Sequence, residues 1–195
     1  MVLIMAQEKT PTKILIDSGY FVGRQMKHWS PRGTFKEDGT IKDGNAILCF
    51  DGVKGRQLRG NLFDDYKSAR NKGLEVKASE HEGQDTRDIF TKVGFELDEL
   101  SVRWSYLYDE NKEADDLLAE LTMKYLLQGY NVVILSADTD LFQMLRYPNV
   151  RLHNFRKEIT AEEVKELTGV TVHQYADWKS LVGDTSNSIP GVPGL

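Results

Sequence analysis

The chain has 195 residues, 40% of them hydrophobic and 28% charged, the size and balance of one soluble globular domain and not of a disordered segment. Thirty acidic residues outnumber 25 lysines and arginines, and the formal charge of −5 excludes a generally basic nucleic-acid binder, though not a local basic groove. The one cysteine, Cys49, has no internal partner for a disulfide, and the opening MVLIMAQEKT lacks a basic region and a small-residue cleavage site, so a reducing, cytoplasmic setting is expected. Apolar runs such as AILCF and NVVIL fall far short of the ~18–20 residues that a membrane helix needs, so no membrane partner is expected.

Along the chain, short β-branched runs alternate with stretches of helical period, the pattern of an α/β protein with a mainly parallel sheet. Strands are predicted over residues 13–16, 46–50, 102–108 and 131–135, with a weaker one over 150–154. Between them Leu58, Leu62, Phe63 and Tyr66 recur at helical spacing, as do Ile89, Val93, Leu97 and Leu100, and then Ala114, Leu117, Leu118, Leu121 and Tyr125. Residues 71–88 are polar, carry Gly73 and Gly83 and show no clear period, so they read as a mobile excursion or a loosely helical insert. Thr160 and Glu163 form a capping box for a helix through Leu167, and a last helix is expected over 172–181, closed by Gly183. The terminal SIPGVPGL is turn chemistry that introduces nothing, so the chain is expected to stop inside a longer module. No repeat or low-complexity segment interrupts the single domain expected over 1–195.

The aspartates fall in a pattern. Asp17 follows the first strand (KILID), Asp51 the second (AILCFD), and Asp138 and Asp140 the fourth (NVVILSADTD). In an open parallel sheet the carboxyl ends of the strands share one edge, where ligands bind. Glu113, Asp115 and Asp116 (EADD) open the long helix after the third strand, and Asp184 (LVGD) follows the last helix. Glu113 and Asp116 share a helical face at i, i+3, whereas Asp115 reaches the same site only if the helix begins about there. A lone aspartate after a strand is ordinarily a turn former, and EADD alone could decorate a helix dipole. Acids at strand end after strand end need another account. Two carboxylates ~4 Å apart repel by roughly 4 kcal/mol at an effective dielectric near 20, so protons or cations must neutralise them. All-oxygen donors favour Mg²⁺ or Mn²⁺ over zinc, and such an ion suits phosphoryl chemistry by activating water and stabilising the leaving oxygen.

A basic counterpart lies between Lys54 and Lys77, where Lys54, Arg56, Arg59, Lys67, Arg70, Lys72 and Lys77 outnumber Asp64, Asp65 and Glu75. YKSAR gathers Tyr66, Lys67 and Arg70, able to neutralise a phosphodiester and stack on a base, although a solvated helix face has the same composition. His28, His81, His153 and His173 show no ligand or triad spacing and read as structural or surface residues.

Taken in order, ILIDSGY, ILCFDG, DDYKSAR, EADDLLAEL, SADTDLFQML and LVGDTSNSIPGVPG resemble the 5′-nuclease family, which comprises phage 5′→3′ exonucleases, the 5′-nuclease domain of bacterial DNA polymerase I, and flap endonucleases. The resemblance implies a PIN-like α/β/α fold with a helical arch, represented here by residues 71–88, and the start of a helix–hairpin–helix region at 183–195. It implies Mg²⁺- or Mn²⁺-dependent hydrolysis of DNA near 5′ ends, flaps and single-stranded/double-stranded junctions, in replication and repair. RNA–DNA hybrids are a further substrate class, and a monomer in a bacterial or phage-infected cell is expected. By position, Asp17, Asp51, Glu113, Asp115, Asp116, Asp138, Asp140 and Asp184 match the family's metal-binding carboxylates, with Glu113, Asp115, Asp116 and Asp138 nearest the ions. Lys67 and Arg70 match its transition-state cations and Tyr66 the aromatic before them, while Lys54, Arg56, Arg59 and Lys72 complete the expected DNA contact.

Two departures stand out. Asn187 occupies a place where the family's G-D-x-x-D-N-I carries a second Asp, so of two ions the second is expected to bind weakly. The chain also stops at Leu195, before a duplex-gripping region would be complete. A catalytically weak DNA-binding accessory module is therefore one rival reading, which predicts that flap DNA is retained intact. A PIN-type ribonuclease, which would cut single-stranded RNA, is another.

Overall fold

A computed structural model of the chain describes residues 10–20, 45–52, 54–63, 103–154 and 156–194. Among them six strands form one sheet, in the order β3 (Arg103–Tyr108), β2 (Asn45–Phe50), β1 (Thr12–Asp17), β4 (Asn131–Leu135), β5 (Val150–His153) and β6 (Glu158–Ile159). The first five run parallel. Ile14 pairs with Ala46 on one side and with Val133 on the other, and Ile134 pairs with Leu152. The strand order reverses between β1 and β4, which opens a crevice beyond their carboxyl ends. The α/β class expected from the alternating pattern is what the chain adopts.

Burial explains why the strand runs are so apolar. Ile14, Leu15 and Ile16 are all inaccessible, as are Val132, Ile134 and Leu135, so β1 and β4 are covered on both faces. Helix α2 (Ala114–Leu127) lies across the sheet and buries Ala114, Leu117, Leu118 and Leu121, while Tyr125 is partly buried at its far end. Its Thr122 is buried too, with Oγ1 donating 2.7 Å back to Leu118 O. The 3₁₀ segment Thr139–Arg146 adds Leu141 and Met144 to this core, and helix α3 (Ala161–Thr168) adds Val164.

The structure amends several expectations. The first helical period gives α1 (Gly55–Leu62), but Leu58 and Leu62 are 48% and 88% exposed and Phe63 is already extended, so that apolar spacing marks no core-facing stripe. Tyr66, the excursion at 71–88 and the period from Ile89 to Leu100 lie outside the described residues. The weak fifth strand ends at His153, because Asn154 Oδ1 accepts from the amides of Arg156 (3.1 Å) and Lys157 (3.0 Å) and turns the chain into antiparallel β6. The last helix, α4 (Tyr175–Val182), starts later than expected, since residues 172–174 form a turn before it.

The capping box is present. Thr160 Oγ1 accepts from Glu163 N at 3.2 Å, Glu163 Oε2 accepts from Thr160 N at 3.0 Å, and Gly169 closes α3 at φ +78°. Thr160→Ala is expected to lower stability by about 1 kcal/mol in urea unfolding, with Glu163→Gln retaining most of the cap. Cys49 lies on β2 beneath α2, where burial, helped by the charge of Asp17, pushes its thiol up to about 12. The native chain should therefore resist iodoacetamide at neutral pH and react only when urea opens it; rapid native alkylation would contradict the packing around β2.

Candidate metal centre and its cations

The carboxyl ends of β1, β2 and β4 deliver their acids to one side. Asp17 closes β1 and is buried, and its Oδ2 accepts from Ser136 Oγ at 2.7 Å, which ties the end of β1 to the residue after β4. A Cβ added to Gly19 would lie 3.5 Å from both Asp17 Oδ1 and Asp51 Oδ2, so these carboxylates flank a space of about one carbon atom. Asp51 Oδ1 in turn accepts from Ala114 N at 2.7 Å, joining the end of β2 to the start of α2.

At that start Glu113 is the N-cap, and Asp116 Oδ2 reaches back to accept from its amide at 3.0 Å. Because the helix begins there, Glu113 and Asp115 converge as well, which an ideal helical phase would not allow. The convergence is made by Arg59, whose guanidinium pairs with Glu113 and lies 3.4 Å from Asp115 Oδ2 and 2.7 Å from Asp116 Oδ1. Burial pushes the Asp115 carboxyl above its usual range against the pull of Arg59, with the charges of Asp116, Glu113 and Asp138 adding to the rise.

Backbone fit places Arg59 here. Gly52 N donates to Lys112 O and Lys54 N to Glu110 O, each at 2.7 Å, so Gly52 and Lys54 lie directly on the loop before α2. A Cβ on Gly52 would come within 2.0 Å of Asp109 O, which only glycine avoids.

A second acid set faces the first across the crevice. Asp138 caps the 3₁₀ segment by accepting from Asp140 N at 2.9 Å, and Ser136 Oγ accepts from Asp138 N at 3.1 Å. Asp184 accepts from Ser186 N and Oγ through Oδ1 and from Asn187 Nδ2, at 2.7 Å, through Oδ2. Lys179 of α4 bridges this set, 2.9 Å from Asp140 Oδ1 and 3.5 Å from Asp184 Oδ2. Burial opposes the Lys179 charge, yet Asp140 and Asp184 hold its pKa above the ordinary lysine value. Burial likewise opposes ionisation of Asp184, but Ser186, Lys179 and Asn187 together bring its carboxyl below the usual range.

Asn187 is buried; its amide nitrogen is fixed toward Asp184, and its Oδ1 accepts no hydrogen bond among the described residues. An oxygen left so is a fit for a hard cation, as are the all-oxygen donors and the gap at Gly19. Among the described residues no three Asp, Glu, His or Cys side chains are drawn together as an ion's shell, and Arg59 and Lys179 pair with the acids at the start of α2 and after β4 and α4. Between the two sets runs a cleft of about 490 Å³, walled by Arg59, Asp115, Asp116, Asp140, Lys179 and Asn187 on its polar side.

The structure thus sets Asp115, Asp116, Asp140, Asp184 and Asn187 on the walls of one cleft. Glu113 joins Asp115 and Asp116 through Arg59, Asp17 and Asp138 share Ser136, and Asp51 is tied to the start of α2, but these four are not among the cleft's walls. Of the expected DNA-contacting residues, Arg59 turns to the acids and Lys54 pairs with Glu110 at 2.9 Å. The Arg56 side chain and the residues Tyr66, Lys67, Arg70 and Lys72 lie outside what is described. Sequence reasoning missed Ser136 and Lys179. Ser136 carries only the weak signal of a small hydroxyl between strand and acid, and Lys179 none beyond its place one turn before Gly183.

A sheet of this order, with acids beyond its carboxyl ends, defines a mainly parallel α/β protein whose ligand-binding edge is acidic. Residues 36–169 match the family described as 5′-3′ exonuclease, N-terminal resolvase-like domain, and the chain belongs to that family. It is 43% identical over 159 residues to thermostable DNA polymerase I of Thermus aquaticus, covering 79% of this chain and 17% of that one. It is 31% identical over 160 residues to the flap endonuclease Xni of Cronobacter sakazakii, covering 80% and 59%. The chain therefore spans less than two thirds of these relatives. In fold it is similar to T5 5′-exonuclease, solved with zinc bound, at a TM-score of 0.63 and 23% identity over 94% of this chain and 71% of that one. The resemblance stated from the motifs is borne out.

Proposed function

We propose that the chain is a divalent-metal-dependent nuclease that hydrolyses DNA phosphodiesters near 5′ ends and flap junctions. The observation that carries this reading is that acids from the start of α2 and from the segments after β4 and α4 wall one cleft, beside the acid-tipped ends of β1 and β2, in a member of the 5′-3′ exonuclease family. Glu113, Asp115, Asp116 and Asp138 would hold one Mg²⁺ or Mn²⁺. Asp140, Asp184 and Asn187 would hold a second more weakly, since an amide offers an oxygen without a charge. When bound, such ions supply Lewis acidity at the scissile phosphate and its leaving oxygen. Asp17, clamped by Ser136, and Asp51, clamped by the Ala114 amide, keep the strand ends in register with the start of α2. Lys67 and Arg70 would neutralise the phosphoryl group in the transition state, with Tyr66, Arg56, Lys54 and Lys72 along the DNA path.

Among the described residues no helix is long and apolar enough to cross a membrane, which is compatible with a DNA partner reached directly. The test is cleavage of a 5′-flap DNA duplex in Mg²⁺ and in Mn²⁺, with EDTA and Asp138→Ala as controls. Products that vanish in both controls support the reading, and their lengths separate exonuclease from flap action. DNA retained but uncut in either metal would favour the accessory-module reading, and preferential cutting of single-stranded RNA would favour a PIN-type ribonuclease. Lys67→Ala is expected to lower turnover by about 10²–10³ with little loss of binding; a loss confined to binding would assign Lys67 to the DNA path alone.

A further inference from the structure

We propose that Arg59 is a displaceable internal counter-ion, which holds the acids at the start of α2 together until a divalent cation takes the same oxygens. The inference rests on the metal-binding reading above and adds to it a competitor supplied by the chain itself. One guanidinium engages every carboxylate of the EADD segment. Nη1 pairs with Glu113 and approaches Asp115 Oδ2 to 3.4 Å, while Nη2 lies 2.7 Å from Asp116 Oδ1 and 3.5 Å from Asp115 Oδ1. The planar fork of five donors suits that task, where a lysine would serve one oxygen at a time.

A hard cation and this guanidinium exclude each other. Glu113, Asp115 and Asp116 would hold such an ion through the same carboxylate oxygens that now accept from Arg59, so the ion would have to take over lone pairs the guanidinium uses. The side chain of Arg59 is 31% exposed at the cleft wall, so it has somewhere to go. Its base does not move with it, because α1 is anchored through the Gly52–Lys112 and Lys54–Glu110 backbone bonds. Displacement therefore asks only for side-chain rotation, which leaves a positive charge beside the crevice that a phosphodiester would enter. Without Arg59 the three acids would repel each other when no ion is present, so the residue preserves the site at the expense of its affinity.

The test is a Mn²⁺ titration of the full 195-residue chain by calorimetry, for the unsubstituted protein, Arg59→Ala and the stem-preserving Arg59→Gln. Removing the competitor is expected to tighten Mn²⁺ binding about tenfold, equivalent to about 1.4 kcal/mol, and to lower the melting temperature in EDTA. Unchanged or weaker Mn²⁺ binding in folded variants would overturn the inference alone. If the unsubstituted chain binds no Mn²⁺ saturably, or binds it equally after Asp115→Asn, the metal reading fails and the inference with it. Should neither variant fold in EDTA, the Arg59 side-chain N–H signals of the unsubstituted chain decide the matter. They are expected to be protected from water exchange in EDTA and to lose that protection as Mg²⁺ saturates, and protection that persists would overturn the proposal.

Discussion

Asp115→Asn is expected to leave the fold intact and to reduce cleavage of flap DNA by about 10²–10³-fold or more, on the scale of losing a preorganised charge at the reacting centre. Asp115 faces Arg59 with both oxygens and feels the charges of Glu113, Asp116 and Asp138, so it links the start of α2 to the end of β4. The amide keeps the volume of the carboxyl. The fold loses a charge that suits the helix dipole, about 0.3–1 kcal/mol, but that charge is one burial already disfavours, so the two effects oppose each other and the domain stays folded. The raised carboxyl pKa sharpens the expectation, because burial and neighbouring acids already disfavour its ionised form and a cation is what would restore it. The sign for stability follows: with its folded pKa above the unfolded value, Asp115 opposes folding increasingly as pH rises from one to the other. The check is a flap-cleavage series at rising Mg²⁺ beside a thermal melt. Activity within tenfold of the unsubstituted chain at every Mg²⁺ concentration would remove Asp115 from the site.

The strands were legible because β1, β2 and β4 are short apolar runs each ended by an acid or a small polar residue, and because burial on both faces demands such runs. The same logic exposed most of the acidic crevice, since acids placed after parallel strands must share an edge. It could not expose the phase of EADD. Asp115 joins Glu113 and Asp116 only because the helix starts at Ala114 and an arginine from another element spans the three, and tertiary pairing of that kind leaves no periodic trace. The spacing of Leu58 and Leu62 marked helix α1 correctly but not what it would bring to the site. Apolar residues at helical intervals on α1 are exposed in the described structure, and the consequential residue among them is the charged Arg59. Lys179 was hidden likewise, a solitary cation whose meaning depends on Asp140 and Asp184 lying opposite.

Gly183→Ala is expected to be strongly disruptive. Gly183 sits at φ +77° and ψ −167°, a region left almost wholly to glycine, and a Cβ there would lie 2.5 Å from Gly191 N, Ile189 O and Pro190 C. Backbone strain of about 1–3 kcal/mol adds to a clash of about 1–3 kcal/mol that no side-chain rotation relieves. The loop that follows is closed by the paired amides and carbonyls of Asp184 and Ile189, 2.8 Å in each direction, and it carries both Asp184 and Asn187. Relief comes most readily by opening this loop and not the sheet, so the amides of Asp184 and Ile189 should lose exchange protection while those of β1 and β4 keep theirs. Divalent-cation binding at the second set should weaken in parallel. Unaltered protection at both amides would mean that the loop accommodates a methyl group and that its tightness is irrelevant to the crevice.

The parallel register has a thermodynamic corollary. Asp17, Asp51 and Asp138 stand far apart along the chain and reach one sheet edge only when β1, β2 and β4 are paired, so an unfolded chain offers a cation nothing comparable to the folded crevice. Any cation that settles in the crevice is then bound by the native state alone, and at a hundredfold excess over its dissociation constant it stabilises that state by about 2.7 kcal/mol. That is a substantial share of the roughly 5–15 kcal/mol by which domains are ordinarily stable. On the proposed reading, the melting temperature of this chain would act as a gauge of cation supply, and starvation for divalent ions would shorten its lifetime.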